Sequence, residues 1–180
     1  MRKLIATVSL LILIGPTHAR TPMQPKTLKS EVNTAFIDKV GPFAGKRMIS
    51  GDVIVNQKDR ELTLFLVLGP VCTPLLACPS YMQNEVIKLQ NMKGAKDICG
   101  VETYSAELNK MPVDGIKQEL IVVDYSKSTC PTPHYLPYVD TKITYKTTRY
   151  NRRESRPIKS NNVFYAEKLE VSEVVPLHNY

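Results

Sequence analysis

Apolar residues recur at every second position through most of this chain, and that period constrains its fold more than any other feature. Side chains alternate between the two faces of an extended strand, so a period of two marks a sheet with one face on a core. The strongest instance is residues 61–68, where Leu62, Leu64, Leu66 and Leu68 share one face and Phe65 and Val67 the other. A short run that is apolar on both faces, bounded by Glu61 and by Gly69-Pro70, reads as a central strand covered on both sides. Residues 47–55 alternate with Ile49, Val53 and Val55 on one face. Residues 139–147 place Val139, Ile143 and Tyr145 inward and Asp140, Lys142 and Lys146 outward. Residues 84–90, 98–108, 116–125 and 163–171 complete the strand candidates. Turn chemistry separates them at 56–59, at 91–97 with Gly94, and at Pro112-Val113-Asp114-Gly115, where proline fixes φ and glycine accepts a positive φ. About seven strands joined by hairpin-like turns predict an all-β fold, an antiparallel β-sandwich or small barrel. Ahead of them, Ser30 and Glu31 followed by Val32, Phe36 and Val40 at helical spacing predict a short helix that Gly41-Pro42 ends.

The first nineteen residues read as an export signal. Arg2 and Lys3 precede an uncharged apolar run over 4–15, Pro16 breaks it, and Thr17 and Ala19 supply the small residues of a cleavage site. The run is shorter than the roughly 20 residues a membrane span needs. The expected division is a removed signal peptide over 1–19, an N-terminal segment with the short helix over 20–46, and a β-rich domain over 47–180. The product would be periplasmic or extracellular (secreted), and not an integral membrane protein once the signal is removed. It keeps 22 basic against 17 acidic residues, a net charge of +5. Cys72, Cys78, Cys99 and Cys130 all lie beyond the cleavage point. Four cysteines in an exported chain read as two disulfides, and their spacing lacks the Cys-x-x-Cys knuckle of a zinc site. Cys72 and Cys78 flank a short proline-containing loop that a bridge would close. Cys99 and Cys130 fall at the open end of a hairpin made by 98–108 and 116–125. The expected pairs are therefore Cys72–Cys78 and Cys99–Cys130.

Catalytic chemistry has little support in the sequence. Beyond the signal only His134 and His178 remain, neither with a second ligand spaced beside it, so no metal and no cofactor is called for. There is no serine elbow, no His-Glu-x-x-His and no phosphate-binding glycine loop. An enzyme without a recognisable motif therefore stands behind two binding readings.

The first is a basic segment between the last two strands. Lys142, Lys146, Arg149, Arg152, Arg153, Arg156 and Lys159 face only Glu154 in that stretch, with Tyr145 and Tyr150 interleaved. Arginine forks match phosphate and carboxylate, and tyrosine stacks on bases and sugars. Lys146, Arg149, Tyr150, Arg152, Arg153, Arg156 and Lys159 are the candidate polyanion contacts, for an anionic envelope component or an acidic glycan. The plainer reading is a solvated loop that keeps the chain soluble. The second is the loop over 69–81, with Pro70, Pro74, Pro79, Cys72 and Cys78 around Leu75-Leu76-Ala77. A stiff loop presenting Pro74, Leu75 and Leu76 suits a protein partner or protease inhibition, although adjacent leucines more often fold onto the core. A second proline-rich loop, 130–138, carries Tyr135 and Tyr138 and would extend that surface if it lay beside the first. The leading expectation is a non-catalytic binding or structural protein of the cell envelope or extracellular space whose basic loop contacts an anionic partner.

Overall fold

The structure, a computed structural model, describes residues 25–71, 82–110, 115–131, 139–150 and 156–172. Among them every regular element is a strand: β1 (Thr27–Phe36), β2 (Lys46–Asn56), β3 (Glu61–Pro70), β4 (Gln83–Leu89), β5 (Lys93–Lys96), β6 (Glu102–Lys110), β7 (Ile116–Asp124), β8 (Thr141–Arg149), β9 (Ile158–Ala166) and β10 (Glu170–Val171). All pair antiparallel in the order β4-β3-β2-β1-β9-β8-β7-β6-β5, with β10 also on β1. The sheet curls into a half-barrel because β1 serves both halves. Its first half pairs with β2 through Thr27↔Asn56 to Glu31↔Asp52. Past a register shift between Val32 and Thr34, its second half pairs with β9. An extra residue at that point bends the strand and turns the sheet through a corner. The two sheet edges, β4 and β5, are consecutive in the chain, and Met92 N donates to Arg60 O at 2.8 Å as the chain passes between them.

The short N-terminal helix is not formed. The same residues are β1, with Leu28, Ser30 and Val32 buried and Lys29 and Glu31 exposed between them. Helical spacing of Val32, Phe36 and Val40 competes there with a period of two at Leu28 and Val32. The strand wins because it gains ladder hydrogen bonds on both sides while burying both residues. Ser30 caps nothing, and its Oγ donates to Glu167 O at 3.2 Å.

Leu62, Leu64, Leu66 and Leu68 from β3 meet Val53 and Val55 from β2, Leu120 and Val122 from β7, and Ile143 and Phe164 from β8 and β9. All are buried. The outer face of β3 differs from expectation, since Phe65 and Val67 are only half-buried among the described residues. Ile49 also departs from its expected face and is 42% exposed. A register shift between Met48 and Ser50 inverts the alternation, so Met48 packs on the core instead. Residues 91–97 hold the short strand β5 where only a turn was expected, and Ile98 is fully exposed ahead of a strand that begins at Glu102. The last expected strand, 163–171, is two pieces, because 167–169 leave the ladder between β9 and β10.

Cys99 and Cys130 are bridged, with Cα atoms 5.3 Å apart. Thr129 N donates to Cys99 O at 2.8 Å, tying the two loops together along their backbones. Gly100 is required here. Its φ is +85°, and a Cβ on it would come within 2.8 Å of Lys127 O. The expected Cys72–Cys78 pair lies outside the described residues. A disulfide fits a non-cytoplasmic compartment. No helix among the described residues is long and apolar enough to cross a membrane.

Candidate functional site

The strand registers give the half-barrel two ends. Asn56, Glu61, Leu89, Glu102, Asp124 and Thr141 mark one, with the Cys99–Cys130 bridge beside it. Lys46, Pro70, Gln83, Lys110, Ile116, Arg149 and Ile158 mark the other. The basic hairpin between β8 and β9 therefore stands at the second end. Tyr150 N donates to Gly115 O at 2.8 Å there, which fixes the hairpin to the start of β7.

The candidate polyanion contacts divide by strand parity. Lys146 points outward, and its Nζ donates to Glu119 Oε2 on β7 at 3.2 Å, so its charge is already matched. Lys159 is outward and exposed, opposite Thr148. Arg149 falls on the inner-face parity at the open mouth, where it is exposed, and Tyr150 beside it is 47% exposed. Arg156 is exposed on the approach to β9. Among the described residues no carboxylate lies within ion-pair distance of Arg149, Arg156 or Lys159, nor of Lys26, Lys39, Lys58, Lys93 or Lys168, whereas Lys29, Lys46, Lys88, Lys96, Lys117, Lys127 and Lys146 each have one. Arg152 and Arg153 lie outside the described residues. So do Pro74, Leu75, Leu76, Cys72, Cys78, His134, Tyr135, Tyr138 and His178. The strand ends that carry 72–81 belong to the second end and those that carry 132–138 to the first.

Beneath the hairpin the inner face changes from apolar to polar. Ile143 and Phe164 are core. One step toward the mouth, Tyr145 stands opposite Asn162, and one further Thr147 stands opposite Ser160. Tyr145 Oη accepts from Gln118 Nε2 at 2.9 Å. Asn162 Oδ1 accepts from Asp38 N at 3.0 Å, and Asp38 Oδ2 accepts from Asn161 N at 3.2 Å, so residues 37–45 are laced across this end. Phe43 anchors that segment as a buried wedge, its ring 5.8 Å from Tyr145 and 6.0 Å from Phe164. Between the segment and the sheet is a cleft of about 250 Å³ lined by Gly41, Pro42, Thr147, Arg149, Ile158 and Ser160. Ser160 is 5% exposed and Asn162 is fully buried. Yet Thr147 Oγ1, Ser160 Oγ and Asn162 Nδ2 are buried without a hydrogen-bond partner. Buried polar atoms normally find partners, and each left without one costs on the order of 1–3 kcal/mol.

Thr147, Ser160 and Asn162 were not among the residues singled out by sequence. The signal was nonetheless there, because carrying the alternation of Ile143 and Tyr145 two steps further puts Thr147 and then Arg149 on the inner face.

A second cleft, of about 410 Å³, opens at the disulfide end between Lys26, Gln57, Glu102, Lys127 and Lys168. Glu102 Oε2 accepts from Tyr104 Oη at 2.9 Å and from Lys127 Nζ at 3.1 Å. Tyr104 Oη in turn accepts from Gln57 Nε2 at 3.2 Å. Burial works to raise the Glu102 carboxyl, but the hydrogen bonds from Lys127 and Tyr104 and the charges of Lys127 and Lys96 outweigh it and hold it below its ordinary range. Burial, then the hydrogen bond and charge of Glu102, push Tyr104 up to about 12. These groups satisfy one another and latch the bridged loops to the sheet. Among the described residues no three His, Cys, Asp or Glu side chains gather as metal ligands would.

Compared with protein-family models, with curated proteins and with solved structures, the chain matches none of them.

Proposed function

We propose that this protein is an exported, non-catalytic binding protein of the cell envelope or extracellular space, and that the end of the half-barrel bearing the β8–β9 hairpin contacts an anionic partner such as an envelope component or an acidic glycan. One observation carries the reading. Arg149, Arg156 and Lys159 are exposed at that end, and among the described residues none of them has a carboxylate within ion-pair distance, whereas Lys146 of the same hairpin is matched by Glu119. Unmatched cations close together attract a polyanion over about a Debye length, roughly 8–10 Å in physiological salt. Exposed Tyr150 adds an aromatic face at the same place. The Cys99–Cys130 bridge supports a location outside the cytoplasm.

The reading is tested by measuring binding to a panel of sulfated glycans, anionic phospholipid vesicles and nucleic acid at low and physiological salt. The same panel is run on a variant with Arg149, Arg152, Arg153 and Arg156 changed to alanine. Binding that survives physiological salt, differs across the panel and disappears in the variant is expected. Equal, weak binding to every polyanion, unchanged in the variant, would return the hairpin to a role in solubility.

A further inference from the structure

We propose that the cleft beneath the β8–β9 hairpin is a pocket for one tetrahedral oxyanion, a phosphate or sulfate group, held by the Arg149 guanidinium and the hydroxyls of Thr147 and Ser160. The inference rests on the reading that this end meets an anion, and it names what the pocket takes from that anion.

Strand register brings the three groups together. Thr147 and Ser160 are directly opposed on the inner face, a relation that puts Cβ atoms about 4.5–5.5 Å apart. Arg149 is two residues along the same face of β8, roughly 7 Å further toward the mouth. All three line one cleft, and among the described residues no acid lines it with them. The hydroxyls are bonded to nothing where they sit. Turning either about χ1 into the cleft therefore breaks no hydrogen bond. Asn162 Nδ2, one step deeper on β9, is a further donor without a partner, its Oδ1 being held by Asp38 N.

The walls suit an ion stripped of part of its water. Pro42 and Ile158 are apolar, and residues 41–42 lie over β9 so closely that a Cβ on Gly41 would collide with the Ser160 side chain. With φ at +107°, only glycine keeps that roof in place. In a site partly closed to water, a single guanidinium charge acts more strongly than on the open surface. The count of donors selects the shape. Two guanidinium N–H groups and two hydroxyls are four donors; a tetrahedral oxyanion can give each its own direction of approach, whereas a carboxylate must take all four on two oxygens in one plane.

The test is a two-dimensional amide NMR titration of the purified, disulfide-bonded protein, as its expression host processes it, with inorganic phosphate, inorganic sulfate and acetate in separate arms. Saturable shifts at Gly41, Thr147, Arg149 and Ser160 with phosphate or sulfate, and weaker ones with acetate, are expected. The stronger of the first two arms identifies the ester to look for in the natural partner. The Thr147→Val/Ser160→Ala variant should weaken the phosphate or sulfate affinity by roughly tenfold or more, since hydrogen bonds to a charged group are lost. It should leave salt-dependent polyanion association by the exposed cations in place. Diffuse shifts that never saturate, or a variant that binds as well as the parent, overturn the pocket. If the pocket fails while polyanions still bind, the hairpin reading stands alone. If phosphate or sulfate saturates the pocket while no polyanion binds, the hairpin reading fails instead. An unchanged amide spectrum away from the cleft shows that the variant is folded.

Discussion

Removing the two cleft hydroxyls should make the protein more stable without an anion and insensitive to one. Thr147 Oγ1 and Ser160 Oγ are buried and unpartnered. Each carries a desolvation cost on the order of 1–3 kcal/mol that an apolar group of similar shape does not. Thr147→Val keeps the branched outline that suits a strand, and Ser160→Ala leaves a smaller residue under Gly41. Thr147 is only half-buried as a residue, so the lower part of the range applies. The double variant is expected to gain about 2 kcal/mol, a rise in Tm of about 4–8 °C for a chain of this size. Phosphate at ten times its dissociation constant should add about 1.4 kcal/mol to the parent and nothing to the variant, so the ligand narrows the gap between them. Urea unfolding followed by far-ultraviolet circular dichroism, with and without phosphate, measures both effects, and an unchanged m-value certifies that only stability moved. A double variant less stable than the parent by about 1 kcal/mol without anion would refute the reasoning, because it would mean the hydroxyls already have partners.

Four further outcomes follow from the disulfide end. Glu102 is held below its ordinary range, so its contribution is present at neutral pH and is lost as pH falls through its folded value; Glu102→Gln should flatten the acid side of a stability-versus-pH curve. Tyr104 keeps its proton to about 12, so stability should fall as pH rises between about 10 and 12, and ultraviolet titration of a Tyr104→Phe variant should lack a phenol that ionises near 12. Changing Cys99 and Cys130 together to alanine should cost about 2–4 kcal/mol in urea unfolding, and Gly100→Ala about 1–3 kcal/mol through its positive φ and the approach of Lys127 O.

How far the sequence revealed this fold depended on whether the deciding interaction was local. The alternation of Leu62 to Leu68 and of Ile143 and Tyr145 was legible, because parity along one strand needs no knowledge of its neighbours. The pairing of Cys99 with Cys130 was legible as well, since it follows from a hairpin between consecutive strands. Ile49 was misplaced because the extra residue at Met48–Ser50 shows only against the partner strand β3. The N-terminal strand was read as a helix because what makes it a strand is pairing with β2 and with β9, more than a hundred residues further along the chain. The cations of the hairpin were visible as a run, but their division was not. Whether Lys146 is matched depends on Glu119 of β7, and whether Arg149 is free depends on what stands at the mouth. The cleft itself needed residues 37–45 laid over β8 and β9, which no periodicity announces.

The most direct test of the anionic-partner reading compares two triple variants of equal charge. One changes Arg149, Arg156 and Lys159 to alanine; the other changes Lys29, Lys88 and Lys117, each paired with an acid elsewhere on the sheet. Affinity for a sulfated glycan is measured across a salt series for both variants and the parent. The hairpin variant should lose affinity and its salt slope should fall by about one per contact removed, while the control keeps the parent's slope. Equal losses in the two variants would mean that net charge alone drives the association and that the hairpin end is not a site.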